Sequence, residues 1–94
     1  MKIKTTETDL KNIVKDYLII KGIFSYPLMQ GLGCKPGLPD RVMHYKGRVH
    51  YLEIKTPKGK LSPNQLEFQE QCRQGRIKYH VIRSLEDIQE IVEG

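Results

Sequence analysis

The dipeptide Lys46-Gly47 restricts what this 94-residue chain can become more than any other feature. It stands between two runs, Arg41 to Lys46 and Val49 to Lys55, rich in β-branched and aromatic residues. That pattern predicts two antiparallel strands joined by a tight turn. If the turn holds two residues, Tyr45 faces Arg48 and, further along the same ladder, Asp40 faces Glu53. Directly opposed side chains lie about 5 Å apart on one face of a sheet. Lys55, two residues after Glu53, shares that face, while Ile54 points to the other. A longer turn would leave the two acids as diagonal neighbours.

The rest of the chain supplies partners for this hairpin. Leu10, Ile13, Val14, Tyr17 and Leu18 recur at helical spacing, with Thr6 and Asp9 suited to cap the start and Gly22 the end. Ile23 to Met29 reads as a short strand, which Pro27 assigns to an edge or a bulge. The glycines and prolines between Gln30 and Pro39 predict a loop. Ser62-Pro63-Asn64-Gln65 combines an N-cap, a proline at the first helical position and a capping-box glutamine. Leu61 and Leu66 are spaced for a hydrophobic staple, and Gly75 marks the stop. Ile77 to Arg83 is a strand, and Ser84 with Asp87 caps a last helix carrying Leu85, Ile88 and Ile91. The order α-β-β-β-α-β-α predicts an α/β fold, a mixed sheet flanked by helices, in one domain spanning residues 1–94.

Charge narrows the partner. The chain carries a formal +5, and residues 35–60 alone hold seven cations and two acids, the same net value. A basic segment this concentrated is the usual footprint of a polyanion-binding surface, although basic residues can also be merely solvated. No apolar run reaches the roughly 18 residues of a membrane span. Met1 to Thr5 lack the apolar stretch of a secretory signal, so a cytoplasmic protein is expected. Cys34 and Cys72 have no ligand-spaced partners, and His44, His50 and His80 are scattered, which argues against a zinc site. Cys72 fits a helix core, and Cys34 is a loop thiol.

Two opposed carboxylates destabilise a sheet unless something positive joins them. A divalent cation does so. Mg²⁺ takes oxygen ligands and commonly one or two carboxylates plus a substrate phosphate, where it polarises a phosphoryl oxygen and activates water. Asp40 and Glu53 are the candidate ligands, and the backbone carbonyl of Ile54 is a candidate third. Lys55 is placed to orient or deprotonate attacking water and to offset charge on the phosphate. Lys35, Arg41, Lys58 and Lys60 would hold a nucleic-acid backbone nearby. Taken singly, Glu-x-Lys is a common surface ion pair and Pro-Asp a routine turn. Their co-occurrence at hairpin spacing inside the basic segment is what points to a site.

Gly37-Leu38-Pro39-Asp40, Glu53-Ile54-Lys55 and Gly59-Lys60-Leu61-Ser62-Pro63-Asn64-Gln65 together resemble the VRR-NUC family of the PD-(D/E)xK nuclease superfamily. The resemblance runs from Thr6-Glu7 to the final helix. It implies a restriction-endonuclease-like core, phosphodiester hydrolysis and dependence on Mg²⁺ or Mn²⁺. It adds Glu7 as a site and metal residue, and Gln65 as a site glutamine. Both positions also have ordinary explanations: Glu7 is a first-turn acid favoured by the helix dipole, and Gln65 is the capping-box residue. Gln30 falls where relatives carry a polar residue before the glycine loop. The Gly-Leu-Pro-Asp segment is shorter here than in many members, which bears on substrate preference. Stand-alone members of phages and bacteria are similar in size, form homodimers and act on branched DNA such as four-way junctions.

The expected activity is therefore a metal-dependent endonuclease acting on structured DNA, as a homodimer. A binding module of the same fold without catalysis, or an RNA endonuclease, shares most of these residues.

Overall fold

The computed structural model describes residues 5–94, so the reading of Met1 to Thr5 as leaderless falls, up to Lys4, outside the described residues. Seven elements follow in the expected order: α1 (Glu7–Ile20), β1 (Ser25–Pro27), β2 (Arg41–Tyr45), β3 (Arg48–Ile54), α2 (Pro63–Gln74), β4 (Lys78–Ile82) and α3 (Leu85–Glu93). The strands form one sheet in the order β1-β2-β3-β4. The first two pairings are antiparallel and the last is parallel. The parallel pair is joined through α2, as a parallel connection requires.

The hairpin turn is as short as its sequence implies. Lys46 and Gly47 both have positive φ, 50° and 75°, the pattern of a type I′ turn whose twist matches the strands. Tyr45 pairs with Arg48, and the ladder runs in that register to Arg41 and Leu52.

Each helix starts where its cap was read. Thr6 and Asp9 exchange side-chain and backbone hydrogen bonds at 3.0 and 3.1 Å, and Ser62 and Gln65 do the same at 3.2 and 2.8 Å. Asp87 N–H donates to the Ser84 hydroxyl at 3.3 Å. The helix ends differ from one another. Gly22 takes the left-handed conformation after α1, at φ 70°. After α2 that conformation falls to Arg76, at φ 56°, because Gly75 still closes a helical hydrogen bond to Gln71.

The core lies on one face of the sheet. Leu10, Val14 and Leu18 of α1 and Ile88 of α3 pack onto Met43, Leu52, Ile54 and Ile82. Ile13, expected on the same helix face, is 38% exposed, because the contact stripe is the narrower i, i+4, i+8 row. The opposite face is covered by α2, whose Phe68 meets Tyr51 edge-on at 5.3 Å and lies against Tyr79. Of the staple pair, Leu66 is half exposed. The first strand keeps only Ser25–Pro27 of the expected span, and Pro27 lies at its end on the sheet edge. The described helices include none long and apolar enough to cross a membrane.

Candidate active site

The hairpin register delivers Asp40 and Glu53 to the same corner of the sheet, but not as a simple opposed pair. Regular pairing stops at Arg41. The Asp40 amide donates to Leu52 O at 3.0 Å, and its carboxylate oxygen Oδ2 accepts the Ile54 N–H at 2.7 Å. The side chain thus takes the place that the next backbone carbonyl would occupy. Ile54 N–H points toward Asp40, while Lys55 N–H bonds to Ile82 on the other side of the strand. Amide and carbonyl of one strand residue point the same way, so the Ile54 carbonyl also faces the Asp40 side.

Glu53 projects from the opposite face, toward α2, and is only 2% exposed. Its Oε1 accepts a hydrogen bond from Gln65 Nε2 at 2.7 Å and lies 4.0 Å from Lys55 Nζ. Its Oε2 is buried with no hydrogen-bond partner. Burial pushes the Glu53 carboxyl up to about 7, and the Asp40 charge pushes in the same direction against the nearby Lys55. A buried acid with an orphaned oxygen, beside a second acid, is a donor set that a hard divalent cation would satisfy. The residues fit such an ion.

Gln65 makes two contacts at once. Its Oε1 closes the capping box on Ser62 N–H at 2.8 Å, while its Nε2 holds Glu53. One side chain therefore ties the start of α2 to the site.

Glu7 lies at the exposed start of α1. It occupies the first position of α1 with its side chain 46% exposed, and its Oε2 is 3.5 Å from Lys11 Nζ. The same ammonium is 3.2 Å from Asp40 Oδ1. Glu7 reaches the site through Lys11. Among the described residues, no three His, Cys, Asp or Glu side chains converge on one point. Asp40 and Glu53 are the acids gathered at the corner.

Lys11 was missed by sequence reasoning, although its place four residues after Glu7 put it on the same helix face. Partial burial works against its charge, but Asp40 and Glu7 outweigh it and hold the ammonium above the ordinary lysine range. Arg83 was missed as well. Its guanidinium donates to the carbonyls of Thr56 and Gly59, both at 2.7 Å, and so shapes the loop that carries Lys58 and Lys60. No local pattern marks that role, which depends on β4 lying beside β3.

The expected nucleic-acid contacts divide in space. Arg41 lines a cleft of about 350 Å³ with Lys11, Leu28, Gln30, Asp40 and Ile54, and its Nη1 also donates to Ser25 Oγ at 2.8 Å. Lys58 and Lys60 are exposed on the loop after β3. Lys35 is exposed beside Asn64, where its loop packs onto the start of α2. Gln30 Nε2 donates to Leu38 O at 2.7 Å, which gives it a role in loop closure. Cys34 accepts from the Gly31 amide at 3.2 Å, and Cys72 is buried in the helix core. Two histidines called scattered in sequence are neighbours in space. His50 and His80 sit on adjacent strands with ring nitrogens 2.9 Å apart, and burial lowers His80 to about 4.

A family model of the VRR-NUC domain matches residues 3–86. A solved structure titled as a VRR_NUC domain is similar over 95% of this chain and 95% of its own, with a TM-score of 0.78. At 21% identity that likeness speaks for the fold. No curated protein matches the sequence. With the family model covering nearly all of the chain, and the Asp40, Glu53 and Lys55 motif gathered at one corner of a nuclease-type fold, this protein belongs to the VRR-NUC domain family.

Proposed function

We propose that the protein is a metal-dependent endonuclease that hydrolyses phosphodiester bonds in DNA, with branched DNA as its preferred substrate and a homodimer as its working form. The observation that carries the chemistry is the buried Glu53, with one oxygen held by Gln65, the other without a partner, and the Asp40 charge near enough to raise its pKa. Burying a carboxylate with an unused oxygen is costly unless the group serves a ligand. Asp40, Glu53 and the Ile54 carbonyl would hold Mg²⁺ or Mn²⁺, which when bound polarises the phosphate and activates water. Glu7 would contribute from the edge, through Lys11. Gln65 fixes the rotamer of Glu53. Lys55, largely buried and close to Glu53, presents a cation where negative charge grows on the phosphate and can orient the attacking water. Lys35, Arg41, Lys58 and Lys60 would contact the flanking backbone.

A non-catalytic binding module would need cations but not a buried acid facing a second one. Asp40→Ala, Glu53→Ala and Lys55→Ala should each reduce cleavage at least 100-fold while the protein stays folded. A panel of single-stranded, duplex, flapped and four-way DNA, with RNA alongside, checks both the chemistry and the substrate. Wild-type turnover by any of the three variants would remove that residue from the mechanism, and preferential cutting of RNA would replace the substrate.

The symmetry of a four-way junction supports the dimer reading. Symmetric cutting of a junction needs two sites at fixed separation, and this chain provides one, which a two-fold assembly doubles. Sedimentation at micromolar concentration should show a two-chain particle. A monomer that resolves four-way junctions symmetrically would sink that part of the proposal.

A further inference from the structure

Both oxygens of Asp40 are already engaged. Oδ2 accepts the Ile54 amide at 2.7 Å, and Oδ1 lies 3.2 Å from Lys11 Nζ. Any cation that binds Asp40 through Oδ1 must therefore share it with the ammonium or displace it. The ammonium has somewhere to go. Glu7, one helical turn back, is 3.5 Å away, and the Lys11 side chain is 44% exposed on a flexible stem.

We infer that Lys11 is the resident counter-ion of the site: a tethered ammonium that neutralises Asp40 in the metal-free protein and swings toward Glu7 when a divalent ion binds. The inference rests on the metal-site reading above. Without Lys11, the Asp40 and Glu53 charges would be offset by Lys55 alone, which lies 4.0 Å from Glu53, and like charges gathered at one corner oppose folding of the hairpin end. Lys11 supplies that offset from α1. It also sets a threshold, because an incoming ion must outcompete a charge already in place. Glu7 then acts on metal binding at second hand, by offering the displaced ammonium a partner. This differs from a direct ligand role for Glu7, and the two can be separated.

The experiment is Ca²⁺ titration of the intact protein by calorimetry, with no DNA and no turnover, together with thermal melting. Lys11→Met keeps the stem and removes the charge. It should lower the metal-free Tm and bind Ca²⁺ about tenfold more tightly, since a unit charge near a divalent ion is worth about that factor even in a water-like dielectric. Lys11→Arg keeps the charge and should bind Ca²⁺ as wild type does. Glu7→Gln should weaken Ca²⁺ binding in the wild-type background and have little effect alongside Lys11→Met. Equal or weaker Ca²⁺ binding by Lys11→Met overturns the inference and leaves the metal site standing. A Glu7→Gln effect that persists in full without Lys11 makes Glu7 a direct ligand and also overturns it. Wild-type protein that binds no Ca²⁺ at millimolar concentration overturns the metal site and this inference together.

Discussion

At the scale of single residues, the site is organised around the protonation of Glu53. Its carboxyl is raised from 4.5 to about 7 by burial and by Asp40. A group with a higher pKa folded than unfolded binds its proton more tightly when folded. Its stabilising contribution is therefore present below 4.5 and is lost as the pH climbs through about 7. In EDTA Glu53 should accordingly contribute about 1–3 kcal/mol less stability at pH 8 than at pH 5, against an opposing gain from His80 and His50, whose lowered pKa values favour the fold as the pH rises. Urea unfolding at the two pH values checks this against Glu53→Gln, which keeps the histidines and should gain stability relative to wild type as the pH rises. Identical pH profiles for the two proteins would mean that Glu53 titrates as an ordinary surface acid. The identity of this residue was legible in the sequence because period-two alternation placed it beside Lys55 and across from Asp40. Its burial was not, since α2 and Gln65 reach it only in the folded chain. Lys11 was passed over because an ion pair to Glu7 is ordinary on a helix, and its second partner, Asp40, is distant in sequence.

The elements were legible to the extent that their ends carry local chemistry. Capping boxes and the positive-φ turn are written in short windows, and all of them formed where read. The parallel partnership of β3 and β4 is not local, and neither is the packing of the glycine loop. Gly37 shows why that loop matters. It has φ of 79°, and a Cβ at this position would lie 2.3 Å from the Asn64 carbonyl oxygen in the first turn of α2. The loop leading to Asp40 is thus pressed against the helix that supplies Gln65. Gly37→Ala combines backbone strain with a backbone clash and should cost at least about 2 kcal/mol, or push the loop off the helix. The check is urea unfolding, with cleavage measured under conditions where the variant remains folded. Activity should fall further than the folded fraction does, because the displaced loop carries Asp40 with it. A variant with wild-type stability and turnover would show that the loop moves independently of the site.

Across the whole molecule, six of the seven cations of the basic segment fall into two groups, with Lys35 apart beside the start of α2. Lys55, Lys58 and Lys60 lie at or just after the end of β3, which carries Glu53, and Arg41 lines a cleft with Asp40 and Ile54 at that end of the strand. Lys46 and Arg48 lie at the hairpin turn, the other end of a ladder five residue pairs long and so roughly 17 Å away. Lys46 also sits over the Tyr45 ring, 5.3 Å from its centre. A sequence window sees one run of charge because the hairpin folds back within it. If DNA is held at the proposed catalytic corner, the two groups should contribute unequally to binding. Lys58→Ala and Lys60→Ala should each weaken affinity for every DNA tested and reduce the slope of log K against log salt by about one unit per lost phosphate contact. Arg48→Ala should change neither the affinity nor the slope by a comparable amount. The measurement is DNA affinity across a salt series with Ca²⁺ in place of a catalysing ion, so that the substrate stays intact. Equal losses from Arg48→Ala and Lys60→Ala would mean that the nucleic acid runs along the hairpin from the Asp40 corner to the turn.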